Sequence, residues 1–430
     1  MKILFCSPLL AYEGHFARQA VVKSLTFADA GMDVTILGFP ETLEGIPDNH
    51  PRVRYISIQR DWTPRKKARI QAWREKCGLV WLFIVEIWWV HWFAFRYAKQ
   101  RGIDLIFISD VEPWLLIPER LLAILFGRGT PIVGCIPTVY YRFKTTVWRN
   151  IRLTTHIRGL LNLCTAHLLP LGMDLVCEGE PARKYLFRYR MDRVHVIHDF
   201  FQRPDKILSK KEARHCLKLS GERRILLLFG LATHSKGSDL LFQAMEGMRP
   251  LFDVCVVGKV GGQNQPDWGC DRFHGTEWEQ HLHLVSRFVT EEERCLYFSA
   301  CDAVIVPYRY GFMMISGMVL DAIAFGKAVI ACDQFEIGRY TREYRLGLLF
   351  KTEDVADLRR ALEEFSVKPD AWFIEIERHC RAMDDEFSMP NVGRRYRQLF
   401  ASVLERGRRT PEDGRQTTDD RQRRMTDDGL

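Results

Sequence analysis

Residues 302–326, DAVIVPYRYGFMMISGMVLDAIAFG, and the AVIAC run that follows leave this chain few ways to fold. The AVIV run at 303–306 is short, apolar and rich in β-branched residues, the signature of a strand buried on both faces in a parallel sheet. Pro307 stops the strand, and 308–315 read as a loop. Ser316 and Gly317 then open a helical pattern in which Val319, Leu320, Ile323 and Ala324 recur at helix spacing. Gly326 closes the helix, and a second buried strand occupies 328–332. Strand, loop, helix and strand make a βαβ unit. Its helix begins at the carboxyl edge of the sheet, where open α/β sheets bind their ligands. Free N–H groups and the helix dipole suit that end to phosphate. Asp321 stands about one turn inside the helix, near the same mouth.

Strand and helix patterns alternate through the rest of the chain. Strands are expected at 2–7, 34–38, 53–58, 104–110, 131–137 and 173–179, with helices at about 15–30, 146–168 and after 110. A polar, charged segment at 202–222, holding one short helix, reads as a linker. Beyond it, strands are expected at 225–229, 253–259, 282–289 and 347–350, a helix begins near Asp239, and another fills 355–365. The 430 residues suffice for two or three domains, each with its own core. A net charge of +8, partly concentrated between Arg60 and Lys76, favours one local basic surface over a nucleic-acid binder. The twelve cysteines form no CxxC pair or compact framework, which fits reduced thiols in a cytoplasmic setting. Five of them, Cys6, Cys135, Cys177, Cys255 and Cys332, fall inside apolar strand patterns and read as buried thiols. The first fifteen residues imitate a signal peptide, but the apolar run is short and broken by Pro8, and a first strand explains it better.

Residues 79–95, LVWLFIVEIWWVHWFAF, have the most unusual composition, and six of the eleven Trp lie between Trp62 and Trp92. The run is apolar on nearly every helical face, and only Glu86 and His91 are strongly polar. A transmembrane span needs about 20 apolar residues and a central Glu costs roughly 3 kcal/mol, so a span ranks lowest. A fully buried helix, an oligomer interface and an interfacial helix remain. Basic flanks (Arg65, Lys66, Lys67, Arg69, Arg74, Lys76) and Trp81, Trp88, Trp89 and Trp92 favour contact with a membrane surface through 65–95.

The order of these motifs resembles the GT-B glycosyltransferases, in particular the retaining glycosyltransferase family 4. The usual donor motif of that family has a Glu, seven residues and a second Glu within LEAMA.G.PVI. Here LDAIAFGKAVI keeps the second acid as Asp321, while Met313 takes the place of the first, which would touch the donor sugar. A PYR…SG form of the loop, as at 307–317, occurs in this broad group. After ILLLF the family pattern is Gly-Arg-x4-Lys-Gly. Gly230, Lys236 and Gly237 fit it, and Leu231 replaces the Arg, so the bidentate fork of Arg is lost and the point charge of Lys remains. EGEPARKYL and VHVIHDFF resemble the closing signatures of the first domain. The donor-side His is missing near Pro137 and Thr138. Gly14 matches the glycine that faces the donor phosphates, and a plain tight turn explains it equally well.

The resemblance implies two Rossmann-like domains facing across a cleft. Residues 1–201 would form the acceptor side, 202–222 the linker and 223–386 the donor-binding domain. Residues 387–405 would be a helix returning to the first domain, and 406–430 a disordered tail. It implies transfer of a sugar from a nucleoside diphosphate-sugar, with retention, to an acceptor. The basic and Trp-rich stretch 65–95 adds the expectation that this carbohydrate or lipid-linked acceptor is met at the inner face of the membrane. No metal, cofactor or nucleic acid is expected. Lys236 and Asp321 would be catalytic. Gly14, Gly230, Lys236, Gly237, Ser316, Gly317, Met318 and Asp321 would bind the donor, Asp321 through the ribose hydroxyls. Two other readings remain: a non-catalytic GT-B partner protein at a membrane, motivated by the lost Glu, Arg and His, and a GT-B sugar-nucleotide epimerase.

Overall fold

The computed structural model describes residues 1–6, 15–38, 50–59, 63–70, 72, 87–109, 130–136, 173–187, 193–201, 203–204, 207–230, 234–259, 269–312 and 315–408. Two sheets organise it. The first holds β1 (Lys2–Cys6), β2 (Asp33–Gly38), β3 (Val53–Ser57), β4 (Leu105–Ile108), β5 (Ile132–Ile136), β6 (Asp174–Cys177) and β7 (Val194–Val196), in the order β3-β2-β1-β4-β5-β6-β7. The second holds β8 (Ile225–Phe229), β9 (Asp253–Val257), β10 (Leu282–Val285), β11 (Ala303–Val306), β12 (Ala328–Cys332) and β13 (Gly347–Phe350), in the order β10-β9-β8-β11-β12-β13. Every pairing is parallel. That agrees with the composition of the strands: AVIV and AVIAC are buried at every position because helices cover both faces.

In each sheet the strand order reverses once, beside β1 and β4 in the first and beside β8 and β11 in the second. Connections leave such a point in opposite directions, which opens a crevice above the carboxyl ends of the two strands.

The first sheet is covered on both faces. On one, Val90, Ala94 and Ala98 of the helix Ile87–Arg101 recur every four residues and are buried against β1 and β4. On the other, the helices His15–Asp29 and Met389–Arg408 pack together in an aromatic cluster. Phe27 lies 4.9 Å from Tyr396 and 5.4 Å from Phe400, ring centre to ring centre, and Phe107 lies beneath them. Arg406, expected in a disordered tail, is helical and donates to Asp174 Oδ1 at 2.6 Å. Residues 409–430 lie outside the described residues, as do 73–86, which hold part of the Trp-rich run. No described helix is long and apolar enough to cross a membrane.

The segment 202–222 is less of a free linker than its polarity suggests. Its helix, Lys210–Leu217, starts with a capping box of Ser209 and Glu212 and packs against the helix Glu291–Ala300 of the second half. Arg214, buried, donates to Asp302 Oδ2 at 2.6 Å and to the Ala300 carbonyl at 3.0 Å. The halves also meet where the His198 ring packs on Tyr340 and Phe387, each 5.7 Å away, with Nδ1 2.9 Å from the Glu178 carbonyl oxygen. The buried thiols are where the strand patterns put them. Burial raises the pKa of three of them, Cys177, Cys255 and Cys332, to about 12 for Cys177 and about 11 for Cys332.

Candidate functional site

The crevice between β8 and β11 gathers most of the residues the sequence singles out. β8 ends at Gly230, whose φ of +111° only glycine adopts easily, and a Cβ there would stand 3.1 Å from Lys236 Nζ. Lys236 closes a short 3-10 turn, His234–Lys236, and its ammonium lies 5.6 Å from the centre of the Tyr308 ring. It makes no ion pair among the described residues and is half-buried, so its charge remains available to an anion.

Gly237 follows with φ +63°, and a Cβ on it would be 2.0 Å from the Pro307 carbonyl oxygen. Only glycine lets the turn carrying Lys236 lie this close to the loop after β11.

On the β11 side, Ser316 is buried and caps the helix Gly317–Ala324, its Oγ accepting the Met318 N–H at 3.1 Å. The same oxygen is hydrogen-bonded to the Tyr308 hydroxyl at 2.8 Å. Tyr308 thus ties the Lys236 side of the crevice to the helix start. Met318, expected to bind the donor, has its amide taken up by this cap. Gly317 is exposed, with open space where a side chain would stand.

Asp321 has a partner that the sequence does not suggest. Its Oδ1 accepts from Arg294 Nη1 at 2.8 Å, and Arg294 is also held by Glu291, three residues before it on the helix Glu291–Ala300. Burial would lower the pKa of Arg294, but Glu291 and Asp321 keep it above its ordinary range. With its side chain 34 % exposed, Asp321 still offers an edge to solvent beside the helix start. Gly14, Leu231, Met313, Pro137 and Thr138 lie outside the described residues.

Sequence reasoning misses four side chains of this region: Tyr308, Arg309, Gln334 and Arg294. Tyr308 and Arg309 belong to the PYR segment, so their location is visible in the sequence and their contacts are not. Gln334 and Arg294 carry no signal, being polar residues in helix or loop positions that usually face water.

Two parallel-sheet α/β halves, joined as described, with a crevice above β8 and β11, define the GT-B class of fold. Residues 209–378 match the family described as glycosyl transferases group 1, so the second half carries a domain of that group. The whole fold is similar to that of sucrose-phosphate synthase from Thermosynechococcus elongatus, with a TM-score of 0.68 and 19% identity over 94% of this chain and 100% of that one. It is likewise similar to HepE of Anabaena in complex with UDP (TM-score 0.67, 13% identity, 94% and 100% covered). A third similar structure is WaaG, a glycosyltransferase involved in lipopolysaccharide biosynthesis (TM-score 0.60, 15% identity, 93% and 99% covered). No curated protein matches the chain in sequence.

Proposed function

We propose that this protein is a glycosyltransferase that takes a sugar from a nucleoside diphosphate-sugar held over β8 and β11 and passes it, with retention, to an acceptor on the first half. The observation that carries the reading is the position of Lys236. An ammonium without an ion-pair partner among the described residues stands at the carboxyl end of β8, in the crevice that also holds the open helix start at Gly317. In this reading the leaving diphosphate lies between them. Negative charge developing on its β-phosphate is met by Lys236 and the Gly317 amide, which are in place before the reaction begins. These groups supply the charge stabilisation without a metal ion or cofactor. Asp321, steadied by Arg294, faces the ribose hydroxyls. HepE has been crystallised with UDP-glucose, which supports a donor of this chemical class.

The test is a panel of nucleoside diphosphates and their glucose, galactose and N-acetylglucosamine conjugates, read by thermal shift. A ligand binding only the folded protein at 100 times its Kd adds about 2.7 kcal/mol of stability, enough for a clear rise in melting temperature. At least one conjugate is expected to give that rise and to be slowly hydrolysed. Binding without hydrolysis or transfer would favour the non-catalytic partner reading, and no binding across the panel would remove the transferase reading.

The proposal extends to the acceptor, which we place at the inner, cytoplasmic face of a membrane and take to be lipid-linked. Residues 64–70 are helical, with Thr63 Oγ1 accepting the Lys66 N–H at 3.3 Å, and Arg65, Lys66 and Arg69 are exposed there. Basic residues near an anionic surface contribute about 1 kcal/mol each, and Trp residues such as those following this stretch favour the headgroup boundary. WaaG, a glycosyltransferase involved in lipopolysaccharide biosynthesis, has a similar fold, which is compatible with such an acceptor. In liposome flotation the protein is expected to rise with vesicles containing anionic lipid, less so at high salt, and less so with Trp81, Trp88, Trp89 and Trp92 changed to Ser. Retention in the soluble fraction on anionic vesicles would assign 79–95 to a protein interface.

A further inference from the structure

Arg309 occupies an unusual place in the crevice. Its backbone N–H donates to the Ser235 carbonyl at 2.9 Å, and its Nε donates to the His234 carbonyl at 3.1 Å. Nη2 is paired with Asp239, two residues beyond Gly237, and Nη1 lies 3.3 Å from Glu353 Oε1. Three donors on one residue therefore grip the turn His234–Lys236 and the helix start just after it, and a fourth reaches the loop after β13.

The other side of Arg309 is fixed as firmly. Gln334, buried, donates from Nε2 to the carbonyls of Tyr308 and Arg309, both at 3.1 Å, and accepts the Gly311 N–H at 3.0 Å. Both supports carry backbone strain. Phe335, next to Gln334, has φ +40°, and Glu353 has φ +63°, although neither is a glycine. Such strain persists where surrounding contacts over-determine it, and it concentrates at functional sites.

The guanidinium of Arg309 is engaged with Asp239, Glu353 and the His234 carbonyl, while Lys236 has no ion pair among the described residues. From this division of roles we infer that Arg309 is a positioning residue. Arg309, held by Gln334, fixes the turn that presents Lys236, so that the ammonium meets a diphosphate without first paying to order its backbone. Arg309 itself does not touch the ligand. The inference rests on the proposed donor site and adds the residue that holds its cation in place. The physical ground is preorganisation: a charge mounted on a loosely held turn loses affinity to the entropy of ordering that turn.

The experiment is a double-mutant cycle in the full chain, with the nucleoside diphosphate that binds best from UDP, GDP, ADP, CDP and TDP as probe and calorimetry as readout. Arg309→Ala is expected to weaken binding about tenfold, and Lys236→Ala more. The double variant is expected to bind no worse than Lys236→Ala alone, because a positioning residue has nothing left to act on once the ammonium is gone. Arg309→Lys keeps a charge without the fork and is expected to restore little. Hydrogen exchange of the 234–239 amides should speed up in Arg309→Ala. If that variant does not fold, Asp239→Asn, which leaves the guanidinium in place, is expected to give a smaller loss of the same non-additive kind. Wild-type affinity in a folded Arg309→Ala, or a double variant losing the product of the two single losses, would overturn the inference. If wild type binds none of the diphosphates, it is the proposed function that fails. Arg309 is then judged on exchange alone, and unchanged exchange at 234–239 would overturn its role as well.

Discussion

Lys236→Ala is expected to weaken nucleoside-diphosphate binding by about 1.5–3 kcal/mol, the scale of a hydrogen bond to a charged group. That is roughly a 10- to 150-fold rise in Kd. The lower bound applies if water reaches the diphosphate readily, the upper if the crevice closes over it. Lys236 is half-buried and makes no ion pair among the described residues, so its removal breaks no internal salt bridge there and the melting temperature should fall by no more than about 4 °C. Within the protein, the substitution removes the approach of the ammonium to the Tyr308 ring, 5.6 Å away, worth about 0.5–1 kcal/mol at an exposed site. The drop in affinity should also shrink as salt is added, because the interaction is one between charges. Calorimetry at two ionic strengths checks both points. Unchanged affinity at low salt would return Lys236 to the ordinary class of surface lysines, and a lower melting temperature with normal affinity would make it structural.

The largest expected loss of stability comes from the opposite edge of the same sheet. Asp302 introduces β11, and its carboxylate is 2 % exposed. Oδ2 accepts from Arg214 Nη2 at 2.6 Å and from the Ile225 N–H at 2.8 Å, and Oδ1 accepts from Lys210 Nζ at 2.9 Å. Asp302→Asn removes the negative charge between these donors and leaves Arg214, itself 4 % exposed, as a buried cation without a counter-ion. Breaking a buried pair in this way costs about 3–5 kcal/mol. For a domain of this size each kcal/mol lowers the melting temperature by about 2–4 °C, so a fall on the order of 10 °C is expected by calorimetry. Because Asp302 lies at the amino edge and the crevice at the carboxyl edge, nucleotide affinity well below the transition should be retained. A fall of less than about 2 °C, under one kcal/mol on the same scale, would mean that the carbonyls of Ala300, Gly221 and Arg223, which Arg214 also reaches, satisfy it alone.

Two helices show where local pattern fails. Phe335–Glu343, FEIGRYTRE, has a glycine in its interior and opens on a residue with φ +40°. Neither feature advertises a helix. It forms because Ile337, Tyr340 and Thr341 are buried against β12 and β13, so tertiary packing overrides propensity. Asp370–Ala382 is likewise hidden in the sequence, and only Ile376 and Cys380 of its residues are buried. Two buried positions in thirteen are too few to mark a helical face.

What the sequence determined by itself was the scaffold and the place of the site. Strands buried on both faces must be apolar at every position, so ILLLF, AVIV and AVIAC announce a parallel sheet. Ser316 announces the helix start because only a short polar side chain can accept the first free N–H groups there. The Lys-Gly pair is visible because glycine alone tolerates the turn against Pro307. The tertiary structure decided which side chains are bound and which are free. Arg309 is held by His234, Ser235, Asp239 and Glu353, Asp302 by Arg214 and one carboxylate oxygen of Asp321 by Arg294, while the Lys236 ammonium has no ion pair among the described residues. These partners lie 27 to 88 residues apart in the chain. An ion pair leaves no periodicity in sequence, because its strength depends on a few ångströms of separation and on burial, which exist only once the sheets have brought distant segments together.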